Sequence, residues 1–291
     1  MKRLRGMIEY VSDKPGPTLR AQWLGQQLRE LRNAAEFTLK QAGDYLQRDT
    51  STVGRFESGE YPIRRPDMLA LLDFYGVSDK HRRDGLLQLH ADSWQKGWWD
   101  GYAEDVEQSF VDFVWLESRA TEILAFDNTV LTGLLQTDNY ARAVITATDR
   151  SASPEQIERG VELRMARQEV LGKPDFQLQV VLDESVLHRQ VHSTNVMREQ
   201  FAHLATLARQ SNVEIRVLPF SAGEHPSSTG GLMILRMSEP YPEVGYVETP
   251  AGSLYVEPPR TERFRAAYDG LCKLTLGPRK SIEVITALTK E

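Results

Sequence analysis

Residues 49–61 read DTSTVGRFESGEY, and the side chains in that stretch suit contact with a flat, hydrogen-bonding surface. Thr50, Ser51 and Thr52 carry short hydroxyl arms that donate and accept, and Arg55 follows with a planar fork of donors. Hydroxyls address base edges or phosphate oxygens, a threonine methyl meets a thymine methyl, and a guanidinium fits the acceptors of guanine. Longer side chains would hold a helix backbone away from the floor of a groove. Thr50, Ser51 and Arg55 are therefore the candidate base readers. Lys40, Arg48, Thr52, Arg64 and Arg65 are the candidate phosphate contacts around them, with solvated surface as the plainer role of the flanking cations.

A reading helix needs other elements to hold it. Leu24, Leu28 and Leu31 recur at helical spacing, and Thr38 with Gln41 forms a capping box that opens a second helix through Leu46. Asp49 is the expected cap of a third helix, which Gly59 ends. Val53 and Phe56 are its inward pair. Pro66 suits the first turn of a fourth helix with Leu69, Leu72 and Phe74 inward, and Ser78 is the expected cap of a fifth running to Ser93. The second and third helices lie too close in sequence for an antiparallel hairpin, which predicts the steep crossing of a helix-turn-helix.

Residues 1–17 read as a flexible arm, 18–93 as the helical domain, 94–109 as an aromatic linker or docking segment around Trp94, Trp98 and Trp99, and 110–291 as an α/β domain. In the last, Thr121–Phe126 reads as a strand, and Thr137 caps a helix carrying Tyr140 and Ala141. Ser153-Pro154-Glu155-Gln156 is a second capping box whose helix stops by Gly172. Strands follow at 176–184, 213–219, 231–237, 244–248 and 253–257, with helices at 194–210, around 264–271 and from Ser281. The fold class expected is α+β: an all-α helix-turn-helix domain, then a mixed α/β domain.

The chain has 291 residues and a formal charge of −6, unevenly spread. Residues 1–65 hold 12 Lys and Arg against 8 Asp and Glu, whereas residues 94–291 hold 20 against 28. A basic front joined to an acidic back fits one part facing an anionic partner. Cys272 is the single cysteine, so neither an internal disulfide nor a cysteine-based zinc site is expected, and it reads as a buried small hydrophobe. The start lacks the apolar run of a secretory signal and no apolar run spans a bilayer, so the expected location is the cytoplasm, at the nucleoid.

LRELRNAAEFTLKQAGDYLQRDTSTVGRFESGEYPIRRP resembles the XRE-type, phage Cro/repressor-like helix-turn-helix over roughly residues 22–90. That resemblance implies a five-helix lambda-repressor-like fold and a structural ion pair between Arg32 and Glu57. Two positions depart from the pattern: Leu39 stands where the family usually has Gln, and Gln47 where it usually has Gly. FVWLESRATEILAFDNTVLTGLLQTDNYARAVI, ELRMARQEVL, VVLDESVLHRQV, VLPFSAGEHPSSTGG and VGYVETPAGSLYVE together resemble the C-terminal domain of WhiJ-like actinobacterial transcriptional regulators. Thr132 departs from the proline usual there. The likeness implies a domain that receives a small partner protein, encoded nearby in an antitoxin-like arrangement, or a small-molecule effector.

Other chemistry is weakly signalled. His188 and His192 stand four apart near Asp183 and Glu184, without the base of a zinc protease motif. SAGEHPSSTGG (221–231) has glycines without a phosphate-loop pattern, and reads as a mobile loop between strands. No enzyme, cofactor or metal is expected. The first function hypothesis is a dimeric DNA-binding transcriptional regulator with a double-stranded DNA operator and no membrane partner. The alternative is a ligand-binding or enzymatic α/β domain to which the helix-turn-helix is an appended scaffold.

Overall fold

The structure is a computed structural model that describes residues 17–95, 97–102, 106, 108–249 and 252–290. The arm expected at 1–17 falls, but for Pro17, outside the described residues, as do Pro250 and Ala251 of the last hairpin. Two compact units divide the chain, residues 1–96 and 97–291.

The first unit is all helix: α1 (Leu19–Ala34), α2 (Leu39–Leu46), α3 (Thr50–Glu57), α4 (Arg65–Phe74) and α5 (Lys80–Trp94). The Thr38–Gln41 capping box is complete, with Thr38 Oγ1 accepting from Gln41 N and Gln41 Oε1 accepting from Thr38 N. Leu24, Leu28 and Leu31 of α1 are buried, as are Val53 and Phe56 of α3, Met68, Leu71 and Leu72 of α4, and Leu89 of α5. Each large side chain taken out of water this way contributes roughly 1.5–3 kcal/mol. At Gly25, a Cβ would stand 2.7 Å from the carbonyl oxygens of Phe56 and Glu57, so α1 touches α3 backbone to backbone. Any side chain there would force the two helices apart.

Two expectations are corrected here. The inward face of α4 is Met68, Leu71 and Leu72, continued by Tyr75, whereas Leu69 and Phe74 are half-buried. The spacing i, i+3, i+4, i+7 is the more complete helical face. Phe74 instead stacks between Phe37 and Tyr45, at 4.2 and 4.3 Å between ring centroids. Asp79 rather than Ser78 caps α5, its Oδ1 accepting from Arg82 N at 2.7 Å. An ionised acceptor gives the stronger cap beside exposed N–H groups. Trp94 closes α5, its Nε1 donating to Ile63 O at 3.1 Å.

The second unit contains α6 (Gln108–Arg119), β1 (Ala120–Asp127), α7 (Asp138–Thr148), α8 (Pro154–Arg167), β2 (Gln177–Asp183), α9 (Glu184–His188), α10 (Thr194–Leu207), β3 (Val213–Leu218), β4 (Leu232–Met237), β5 (Val244–Thr249), β6 (Gly252–Val256), α11 (Thr261–Cys272) and α12 (Pro278–Leu288). Among the described residues a six-stranded sheet runs β3-β2-β1-β4-β5-β6, with β1, β2 and β3 parallel and β4, β5 and β6 added antiparallel. Sequence and structure agree on the α+β class. On one sheet face Leu124, Phe126, Val181, Leu232 and Ile234 pack under Tyr268 and Leu271 of α11. Cys272 packs at the margin of that cluster and is only partly buried, a correction to the buried position expected of it. At the outer edge of β3, Val217 is paired, with Leu276 N donating to its O and its N donating to Ser281 Oγ. A 3-10 turn, Trp98–Tyr102, precedes α6. Trp99 is buried in it and Trp98 is exposed. α12 begins at Pro278, earlier than Ser281, since proline at the first helical position costs no backbone hydrogen bond.

Candidate nucleic-acid interface

The geometry of α3 starts in the turn before it. Gln47 is left-handed, φ 55° and ψ 43°, which lets Arg48 N donate to Gly43 O at 2.9 Å and turn the chain sharply. A non-glycine residue in that conformation costs about 1 kcal/mol. Asp49 takes the N-cap position with extended backbone, yet its side chain makes no capping hydrogen bond, contrary to expectation. Its backbone carbonyl accepts the first hydrogen bond of the helix, from Thr52 N at 2.9 Å.

From there α3 sorts its residues cleanly. Val53, Phe56 and Glu57 are buried, Thr52 is half-buried, and Thr50, Ser51 and Arg55 are exposed. Glu57 is held bidentately by Arg32, with Arg32 Nε 2.6 Å from Oε1 and Nη2 2.9 Å from Oε2. Arg29 Nε adds a second cation 3.5 Å away. The hydrogen bond to Glu57 raises the Arg32 pKa above its ordinary value, and Arg32 Nη1 also donates to Phe37 O at 2.8 Å. Burial, seconded by the Glu57 charge, pushes the Tyr75 hydroxyl up. The buried acid thus ties α3 to α1.

Lys40, Arg48, Arg64 and Arg65 are all exposed. A concavity of about 740 Å³ opens in this unit, lined by Arg48, Thr52, Arg55 and Arg64 together with Gly43, Gln47, Tyr61 and Pro62. It gathers four of the expected contacts; Lys40, Thr50, Ser51 and Arg65 are not among its lining. Asp44, Asp49 and Asp67 also line it, and Asp67 Oδ2 lies 3.4 Å from Arg48 Nη2. Sequence reading missed this carboxylate. Asp67 carries only the ordinary signal of an acid in a helix's first turn.

The second unit has polar chemistry of its own. Arg167 is buried and pairs bidentately with buried Glu117 at 2.7 and 2.9 Å, its guanidinium 5.0 Å from the Phe113 ring centre. Three glutamines bind the β1–α7 connection: Gln136 Nε2 donates to Leu131 O, Gln168 Nε2 to Gly133 O, and Gln200 Nε2 to Leu135 O. Asp127, at the end of β1, accepts from Thr132 N at 2.6 Å, and burial pushes its carboxyl up to about 7. His188 ends α9 and His192 is left-handed at φ 62°, so the two do not share a helix face. Among the described residues no group of three or more His, Cys, Asp or Glu is arranged to hold a metal ion. The 221–231 loop is anchored at its start by Phe220 N donating to Glu184 Oε2 at 2.6 Å. No described helix is long and apolar enough to cross a membrane.

Residues 23–85 match a family model described as a helix-turn-helix domain, and residues 110–287 match one described as domain of unknown function (DUF5753). The chain belongs to the DUF5753 family. In this DUF5753 protein the helix-turn-helix match coincides with the α1–α5 unit, and a domain of that kind points to a DNA-binding regulator. Searches of curated proteins and of solved structures returned no match to it.

Proposed function

We propose that the chain is a sequence-specific transcriptional regulator of the XRE type that works as a dimer. Thr50, Ser51 and Arg55 read base edges, and Lys40, Arg48, Thr52, Arg64 and Arg65 hold phosphates. The observation that carries the reading is the sorting of α3, whose Val53, Phe56 and Glu57 are buried while Thr50, Ser51 and Arg55 are left outward. A helix fixed on one side and short-armed on the other is what a major groove admits.

One helix of eight residues spans only a few base pairs, so two copies read half-sites about 34–36 Å apart or a multiple of that. The C-terminal domain, through its likeness to WhiJ-like regulators, receives a small partner protein encoded nearby or a small-molecule effector, and alters the dimer rather than adding DNA affinity. No catalysis, cofactor or metal enters this reading, and the site of action is the nucleoid in the cytoplasm.

The test is binding of the full chain to DNA from upstream of its own coding region against a scrambled duplex at several salt concentrations. Preference of at least about tenfold at each salt is expected, and less than that overturns the reading. Footprinting of one short unpaired site would overturn the dimer.

A further inference from the structure

Glycine is the poorest helix former short of proline, and Gly54 stands in the middle of α3. Elsewhere in this unit the chain itself explains the missing side chain. A Cβ on Gly25 would meet the Phe56 and Glu57 carbonyl oxygens at 2.7 Å, and one on Gly43 would meet Arg48 O at 2.8 Å. At Gly54 there is no such reason. Apart from its chain neighbours and the backbone of its own helix, nothing in the described structure would come within 4 Å of an added Cβ, and its backbone is not in the left-handed region. An alanine would fit the fold and favour the helix.

The position of Gly54 supplies the missing reason. It follows Thr50 by four residues and Ser51 by three, so it shares their face of the helix, half-buried beside exposed Arg55. A side chain there would stand between the α3 backbone and whatever that face meets. We propose that Gly54 is a specificity-determining position at which the α3 backbone itself lies against the DNA duplex, the absent side chain letting Ser51 and Arg55 reach their bases. This rests on the reading of α3 as the base-reading helix. Bare backbone at the point of closest approach sets the depth of the helix in the groove, and depth decides whether short hydroxyl arms touch base edges or stop at water.

The experiment uses the full-length chain and the duplex that it selects from a randomised DNA pool. Gly54→Ala and Gly54→Leu are compared with the unaltered protein for affinity to that duplex and for thermal melting; both replacements are better helix formers, so folding is favoured. The expected result is melting at or above that of the unaltered protein, with affinity falling from Gly to Ala to Leu and at least about tenfold lost by Leu. A loss smaller than tenfold for the leucine variant overturns the proposal while leaving the base-reading role of α3 intact. Melting of the alanine variant below the unaltered protein also overturns it, since the glycine would then be required by the fold. If the unaltered chain selects no sequence, the base-reading role fails first and Gly54 falls with it.

Discussion

Arg32 and Glu57 meet through two parallel hydrogen bonds, 2.6 and 2.9 Å long, across 25 residues of sequence. The pair is almost dry on the acid side, with the Glu57 side chain 2% exposed and that of Arg32 11%. Breaking such a pair from one side leaves a charge stranded, typically at roughly 3–5 kcal/mol. Glu57→Ala is therefore expected to destabilise the helical unit by about 3 kcal/mol or more. Arg32→Ala is expected to cost less, because Arg29 is already 3.5 Å from the same carboxylate. Urea denaturation of both variants and the double variant checks this. Strict additivity would contradict the coupling.

The same pair marks a boundary of what the sequence alone disclosed. It was legible by resemblance to a family, whereas Glu117 with Arg167, an equally buried pair 50 residues apart, carried no signal at all. Local devices were readable because their partners are neighbours: the two capping boxes and the alternation of Val213–Leu218. α6 was missed because Phe110, Val111, Phe113, Val114, Trp115 and Leu116 are apolar nearly all round, which hides the helical period. In the candidate interface the exposed residues proposed as readers on α3 were nominated by residue type alone. The facing carboxylate of Asp67 was not, because only the packing of α4 beside the turn brings it to Arg48.

That carboxylate gives the second prediction. Arg48 and Asp67 are 3.4 Å apart with the Arg48 side chain 48% exposed, so the pair adds well under about 1 kcal/mol to stability. A phosphate brought to Arg48 has to compete with it. Asp67→Asn should leave the melting temperature nearly unchanged and tighten DNA binding for all sequences alike. Titrations with selected and scrambled duplexes measure both effects. Weaker binding would mean that Asp67 orients Arg48 instead of occupying it.

Arg55 and Lys40 should separate reading from positioning. Both are exposed and both are cations, yet Arg55 sits on the hydroxyl-bearing face of α3 and Lys40 on the first turn of α2. Arg55→Ala is expected to cost about 1–3 kcal/mol on the selected duplex and to relax preference at one base position. Lys40→Ala should weaken selected and scrambled duplexes equally and reduce the slope of log affinity against log salt by about 0.9. Salt titrations with single-base operator variants distinguish the two. Identical profiles would dissolve the division of roles.

Asp127 supplies a pH dependence whose sign can be worked out. Its carboxyl is pushed up to about 7 by burial at the end of β1, against an ordinary 3.8. Below the unfolded value both states are protonated and the folded state has its full stability. Between the two values the unfolded chain ionises while the folded one keeps its proton, so stability falls as pH rises and levels off above the folded value. The loss is on the order of a few kcal/mol, reduced by the Thr132 N–H, whose hydrogen bond to the carboxyl favours the ionised form. Asp127→Asn keeps an acceptor for Thr132 N and removes the titration. Its advantage over the unaltered protein should be small near pH 4, grow through pH 5 and 6, and be largest at pH 8. Thermal melts of both proteins across that range test it. A constant difference would mean that Asp127 is ionised in the folded protein throughout, and that its carboxylate is better solvated than its place at the end of β1, bound to Thr132 N, indicates.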